Sequence, residues 1–120
     1  IPKVKIEYHL FQEVVMNLLL NAADSIENSG QIKLYTYVLD GNVCMEISDT
    51  GCGIEKENLK KIFEPFYTTK DVGTGTGLGL AVCLGIIEAH GGKITITSTV
   101  NKGTTFIVFL PVNDDETTNN

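Results

Sequence analysis

Three groups of residues in this chain have the types and spacing for chemistry. The first is Gly73-Thr74-Gly75-Thr76-Gly77-Leu78-Gly79-Leu80, with four glycines at every second position. Such a backbone can take positive φ and lets another molecule approach its amides closely. Leu80, Leu84 and Ile87 follow at helical spacing, so the run feeds into a helix N-terminus. Unpaired N–H groups and the positive end of the helix dipole make that an anion site, with phosphate the natural guest. A flexible turn has the same composition, and the run alone does not separate the two. It meets neither G-x-x-x-x-G-K-[ST] nor G-x-G-x-x-G, which excludes the two commonest phosphate loops.

The second group is Glu13, Asn17, Asn21 and Asp24, which line one side of a helix predicted over Tyr8 to Glu27 and stopped by Asn28-Ser29-Gly30. Phe11, Val15, Leu18, Ala22 and Ile26 form its core stripe at about 100° per residue. A solvated polar face is the plain reading of the row. Carboxamide oxygens beside carboxylates also suit a hard cation. Magnesium takes oxygen ligands and is shared with substrate phosphates, so one or two protein ligands suffice; Asn21 is the residue chosen here.

The third is Asp49-Thr50-Gly51-Cys52-Gly53-Ile54, at the end of a predicted strand. An acid there, followed by glycines, can present its carboxylate inside a pocket, while an Asx turn explains the same letters. Between this motif and the glycine run, Glu55 to Phe63 reads as a short helix. Glu64 to Thr76, including Phe66, Tyr67 and Lys70, has no periodicity. That length suits a lid. The aromatics also fit core packing, and Lys70 fits either a phosphate contact or an ordinary surface position.

The elements that must position these groups are two hairpins. Gln31 to Leu39 and Val43 to Asp49 flank Asp40-Gly41-Asn42, and Lys93 to Val100 and Thr104 to Pro111 flank Asn101-Lys102-Gly103. A helix from Leu80 to about His90 closes at Gly91-Gly92. Ile1 to Ile6 reads as a short edge strand. His9 and His90 are lone and read as structural or exposed.

The chain's 120 residues form one domain with 42% hydrophobic and 20% charged residues. A net charge of -6 argues against nucleic acid as a partner. An acidic protein that binds an anion needs local donors and a metal. No apolar run reaches the roughly 20 residues that span a bilayer, so no direct membrane contact is expected. Cys44, Cys52 and Cys83 are odd in number and without C-x-x-C, which supports neither a disulfide framework nor a zinc site and points to a reduced, cytoplasmic setting. Residues 1–112 are expected to form the domain and 113–120 a solvated tail. The first residue is Ile, which suggests a chain that begins inside a larger protein.

Taken together, Asn17-Leu18-Leu19-Leu20-Asn21-Ala22, Asp49-x-Gly51-x-Gly53, Phe63-x-Pro65-Phe66, Gly75-x-Gly77-Leu78-Gly79-Leu80 and Gly103-Thr104-x-Phe106 resemble a known series of boxes. They are the N, G1, F, G2 and terminal glycine-threonine boxes of the catalytic ATP-binding domain of sensor histidine kinases. That superfamily (Bergerat fold) includes gyrase-type topoisomerases, MutL and the heat-shock chaperone ATPases. The Phe66-Tyr67-Thr68-Thr69-Lys70 run is similar to the nitrogen-regulation type.

The resemblance implies an α/β two-layer sandwich, with a mixed sheet of about five strands covered on one face by three helices, and ATP between helices and lid. It places Asp49 on the adenine amine, Gly51 and Gly53 beside the purine, Thr104 near the base through a water, and Gly75, Gly77 and Gly79 along the phosphates. The full set expected at the nucleotide also includes Asp24, Ile54, Phe63, Phe66, Lys70, Thr76, Leu78 and Leu80. Asn17, Asn21 and Lys70 are expected in catalysis, with Asn21 on Mg²⁺.

ATP-hydrolysing members carry a Glu base four residues before the metal-binding Asn; here that position is Asn17, and an amide takes no proton at neutral pH. That favours a histidine kinase. His9 is followed by Leu10 and His90 by Gly91, so neither resembles a phosphoacceptor. The implied partners are a dimerisation domain carrying the phosphoacceptor histidine and a response regulator. A nucleotide sensor without phosphotransfer and a slow ATPase are the alternatives.

Overall fold

The computed structural model describes residues 8–64 and 79–111. Helix α1 spans Tyr8–Ser25. It closes slightly before the expected end because its last turn tightens: Ile26 N–H donates to Ala23 O at 3.2 Å and the Ser25 hydroxyl to Ala22 O at 2.8 Å. Val14, Leu18 and Ala22 are fully buried, with Phe11, Val15 and Leu19 packed at the margins. The stripe is therefore centred closer to Val14 than its spacing suggests, because α1 faces a second helix as well as the sheet.

Strands β1 (Ile32–Leu39) and β2 (Asn42–Asp49) form an antiparallel hairpin. Its two-residue turn places Asp40 at φ 51° and Gly41 at φ 79°. Two positive φ values give a turn whose twist matches the strands it joins. Helix α2 (Gly79–Ala89) ends as expected at Gly91, where φ is 78°. Gly92 N–H reaches Ile87 O at 2.9 Å and Gly91 N–H reaches Glu88 O at 3.0 Å, a paired closure that satisfies the last carbonyls. Strands β3 (Lys93–Thr99) and β4 (Gly103–Pro111) form the second hairpin.

The strand order is β1-β2-β4-β3, so the two hairpins meet along β2 and β4. Met45 and Ile47 on β2 pair with Val108 and Phe106 on β4. These four side chains, with Leu110, pack against Val14, Leu18, Ala22, Cys83 and Ile87 of the helices. The helix layer does not reach the outer edge of β1, where Leu34 and Val38 stay about half exposed (50% and 49%).

The architecture is the expected two-layer sandwich, with two differences in count. Among the described residues the sheet has four strands, all antiparallel, rather than a mixed set of about five; the strand expected at Ile1 to Ile6 lies outside them. Among the described residues there are two α-helices rather than three, because Glu55 to Phe63 forms only a 3-10 turn at Lys56–Asn58 followed by further turns. Bonds here run three residues back: Asn58 N–H to Glu55 O (2.8 Å), Lys61 N–H to Asn58 O (2.9 Å) and Glu64 N–H to Lys61 O (2.9 Å). Only Ile62 is fully buried in this stretch, and Pro65 follows. Too little apolar face is available to hold a full α-helix there. The expected lid lies outside the described residues apart from Glu64.

Candidate functional site

Asp49 is the last residue of β2, near the centre of the sheet, with Ile32 opposite it on β1 and Thr104 on β4. Alternation puts its side chain on the same face as Ile47, towards the helices, and it is only 6% exposed. Oδ1 accepts the Gly51 N–H at 2.8 Å and the Ser25 hydroxyl at 3.2 Å. Among the described residues Oδ2 has no hydrogen-bond partner. Of the two sequence readings of Asp49, the Asx turn is seen directly, in the Gly51 N–H bond to Oδ1. A buried carboxylate oxygen with no donor costs free energy unless a ligand or water supplies one.

Beside it, Thr104 is 5% exposed. Its hydroxyl lies 2.8 Å from Ser98 Oγ, which also accepts the Ile54 N–H at 2.7 Å and donates to Gly103 O at 3.0 Å. Ser98 thus ties the loop after Asp49 to the strand bearing Thr104. The loop is pinned twice more: Cys52 N–H donates to Ser25 O (3.0 Å), and Asn101 N–H donates to Cys52 O (2.8 Å). Gly53, at φ 77°, has no room for a side chain, because a Cβ would meet the Thr99 carbonyl and come within 2.9 Å of Val100 Cα. Its lack of a side chain serves this packing in the first place.

The other end of the site is where α1 meets α2. A Cβ on Gly79 would sit 3.6 Å from Asn17 Oδ1, and the buried Cys83 thiol of α2 donates to Val14 O of α1 at 3.7 Å. Burial pushes the Cys83 thiol up to about 11, partly offset by the Asn17 side chain. Asn21, half-buried, lies one turn further along α1, and Ser25 one turn beyond it. The eight-residue step from Asn17 to Ser25 covers about 12 Å of helix, so α1 connects the start of α2 to the Asp49 carboxylate.

The structure thus gathers Asp49, Gly51, Ile54 and Thr104 around the Ser25 and Ser98 hydroxyls, with Gly53 packed in the same loop, and sets Asn17 beside Gly79 at the other end of this stretch of α1, with Asn21 between the two. Asp24 is exposed on α1. Leu80 packs against the core, and the Phe63 ring meets Phe106 edge-on at 6.3 Å and 82°. Phe66, Lys70, Gly75, Thr76, Gly77 and Leu78 lie outside the described residues. Sequence reasoning missed Ser25 and Ser98. For Ser98 the signal was there: counting back from the Asn101-Lys102-Gly103 turn pairs it with Thr104. For Ser25 it was the four-residue step continuing from Asn17 and Asn21.

The sequence matches, over residues 7–114, the family model described as histidine kinase-, DNA gyrase B- and HSP90-like ATPase. The chain belongs to that family. Within it, the chain is a histidine kinase catalytic ATP-binding domain. It superimposes on the catalytic domain of histidine kinase ThkA with a TM-score of 0.79 at 37% identity, covering 91% of this chain and 70% of that one. Full-length ShkA in complex with AMPPNP matches at a TM-score of 0.82 and 28% identity, covering 92% of this chain and 23% of that one. The sensor kinase CckA of Brucella abortus is 45% identical over 90% of this chain and 13% of its own length. The histidine-protein kinase AtoS of Escherichia coli is 41% identical over 92% of this chain and 18% of its own length. This histidine kinase domain therefore spans less than a fifth of either curated relative. Among its described residues no helix is long and apolar enough to cross a membrane.

Proposed function

We propose that this domain binds Mg-ATP and transfers the γ-phosphoryl group to a histidine on a separate phosphoacceptor domain, from which a response regulator takes it. The observation that carries the reading is buried Asp49, whose Oδ2 has no hydrogen-bond partner among the described residues. An adenine amine supplies the missing donor, whereas guanine sets a carbonyl oxygen against it and leaves two acceptors unpaired. In the transfer the histidine nitrogen attacks the γ-phosphorus and the bond to the β,γ-bridging oxygen breaks, releasing ADP. This domain's part is positioning and charge neutralisation. Asn17 stands where a water-activating base would be needed, and its amide accepts no proton, which sets phosphotransfer above steady hydrolysis.

A carboxamide oxygen on α1 is a hard donor of the kind magnesium takes. Among the described residues no three His, Cys, Asp or Glu side chains converge, so a metal here depends on phosphate and water oxygens plus one or two protein ligands, as magnesium does. Asn21 is the residue we assign to hold it; the ion supplies positive charge against the phosphates. Lys70 adds a cation from the segment before the glycine run. A cytoplasmic setting, where ATP is available, and a nitrogen-regulation-like subtype belong to the same proposal.

The test mixes the 120-residue chain with a separately produced phosphoacceptor domain and γ-labelled ATP. Acid-labile, alkali-stable label on that domain is the expected result. ATP binding with no label transferred would leave a nucleotide sensor, and steady phosphate release by the chain alone would point to an ATPase.

A further inference from the structure

We propose that Ser25 is a positioning residue for base recognition: its hydroxyl, with the Gly51 amide, holds Oδ1 of Asp49 so that Oδ2 alone faces the purine amine. The inference rests on the base-pocket reading given above. The side-chain torsion of an Asp carboxylate is soft and roughly two-fold, so one donor leaves the two oxygens free to exchange. Here two donors reach the same oxygen from different elements, Gly51 N–H from the loop at 2.8 Å and Ser25 Oγ from the end of α1 at 3.2 Å. The second donor is what ties the carboxylate's orientation to the helix that also carries Asn17 and Asn21.

The surroundings are built for this contact. A Cβ on Gly51 would run into Ser25 Oγ and come within 2.7 Å of both Ser25 Cβ and Ser25 O. Gly51 therefore admits Ser25 to Asp49, a more demanding requirement than admitting the base. The Ser25 carbonyl accepts the Cys52 N–H at 3.0 Å, so the backbone clamp survives loss of the hydroxyl. Ser25 has a single proton, shared between Ala22 O at 2.8 Å and Asp49 Oδ1 at 3.2 Å. A charged acceptor strengthens the second arm, and sharing holds the effect to a modest size.

Two ligands separate orientation from general stability: ATP, and purine riboside 5′-triphosphate, which has the same ring and phosphates without the exocyclic amine. Calorimetry on Ser25→Ala with magnesium should show ATP binding weakened about three- to tenfold and the amine-free nucleotide unchanged. No loss for ATP, or an equal loss for both nucleotides, overturns the inference. Asp49→Asn separates this failure from failure of the base pocket itself. If Asp49→Asn collapses the preference for ATP while Ser25→Ala keeps it, only the role of Ser25 fails. If Asp49→Asn also keeps the preference, the pocket reading fails with it.

Discussion

Asn21 carries no charge, and that decides what it can contribute to a metal. A carboxamide oxygen is a hard donor that adds no repulsion towards phosphates, so it suits an ion that arrives with its nucleotide. On the proposal that Asn21 holds the ion, removing it would cost one polar contact in the metal-bound complex and none in the metal-free one. Asn21→Ala is therefore expected to weaken ATP binding about tenfold with magnesium and to leave the affinity in excess EDTA within about twofold. Equal losses under both conditions in calorimetry would remove Asn21 from the metal. Cys83 makes a different prediction, about stability. Its buried thiol stays protonated up to about 11 against an ordinary value of 9.0. The unfolded chain releases that proton first, so the raised value supports the fold fully below pH 9.0, and the support is lost as pH rises towards about 11. In that window the parent should lose up to about 1.4 kcal/mol per pH unit more than Cys83→Ala, read from urea midpoints at pH 8 and 10.5. Identical slopes for the two proteins would show that this thiol does not titrate with folding.

Helix α2 depends on how it stops. Gly91 sits at φ 78° with only Pro111 Cγ near the place of its missing Cβ, at 3.6 Å, so an added methyl meets backbone strain rather than a clash. Gly91→Ala should cost about 1 kcal/mol of stability, seen as a lower urea midpoint with unchanged denaturant slope, while ATP affinity stays at the parent's value. This helix end was legible in the letters Gly91-Gly92, as were both hairpins, because Asp40-Gly41 and Asn101-Lys102-Gly103 specify turn geometry locally. The stretch from Glu55 to Phe63 was not. Leu59, Ile62 and Phe63 imitate helical spacing, but whether a short segment becomes α or 3-10 depends on how much of it is covered, and only Ile62 is fully buried. The site divides the same way. Asp49 and Thr104 could be read because motif and strand end coincide, whereas Ser25 reaches its partner across 24 positions and Ser98 reaches Ile54 across 44. Local spacing puts each serine on the right face, but its distant partner is set by the packing of α1 and β3 against the loop.

Across the whole molecule, the candidate site lies where a polar contact joins the two layers, Ser25 of α1 to Asp49 of β2; Ser98 and Thr104 tie β3 to β4 beside it, and Gly79 of α2 sits next to Asn17. A ligand seated there binds only the folded assembly, so it stabilises by RT ln(1 + [L]/Kd). At a hundredfold excess over Kd that is about 2.7 kcal/mol, and for a domain of this size a rise in Tm on the order of 10 °C. The outer half of β1 supplies the internal control. Leu34 and Val38 stand half exposed beyond the helix layer, and nothing at Asp49 leans on the far end of that strand. Hydrogen exchange with saturating Mg-ATP should therefore slow along the end of α1, the ends of β2 and β3 nearest Asp49 and Ser98, and the start of β4. Amides from Leu34 to Leu39 should slow least. Uniform protection that includes β1 would mean that ATP raises only the global unfolding free energy, and protection confined to the loops would mean that the two layers are not bridged by the nucleotide at all.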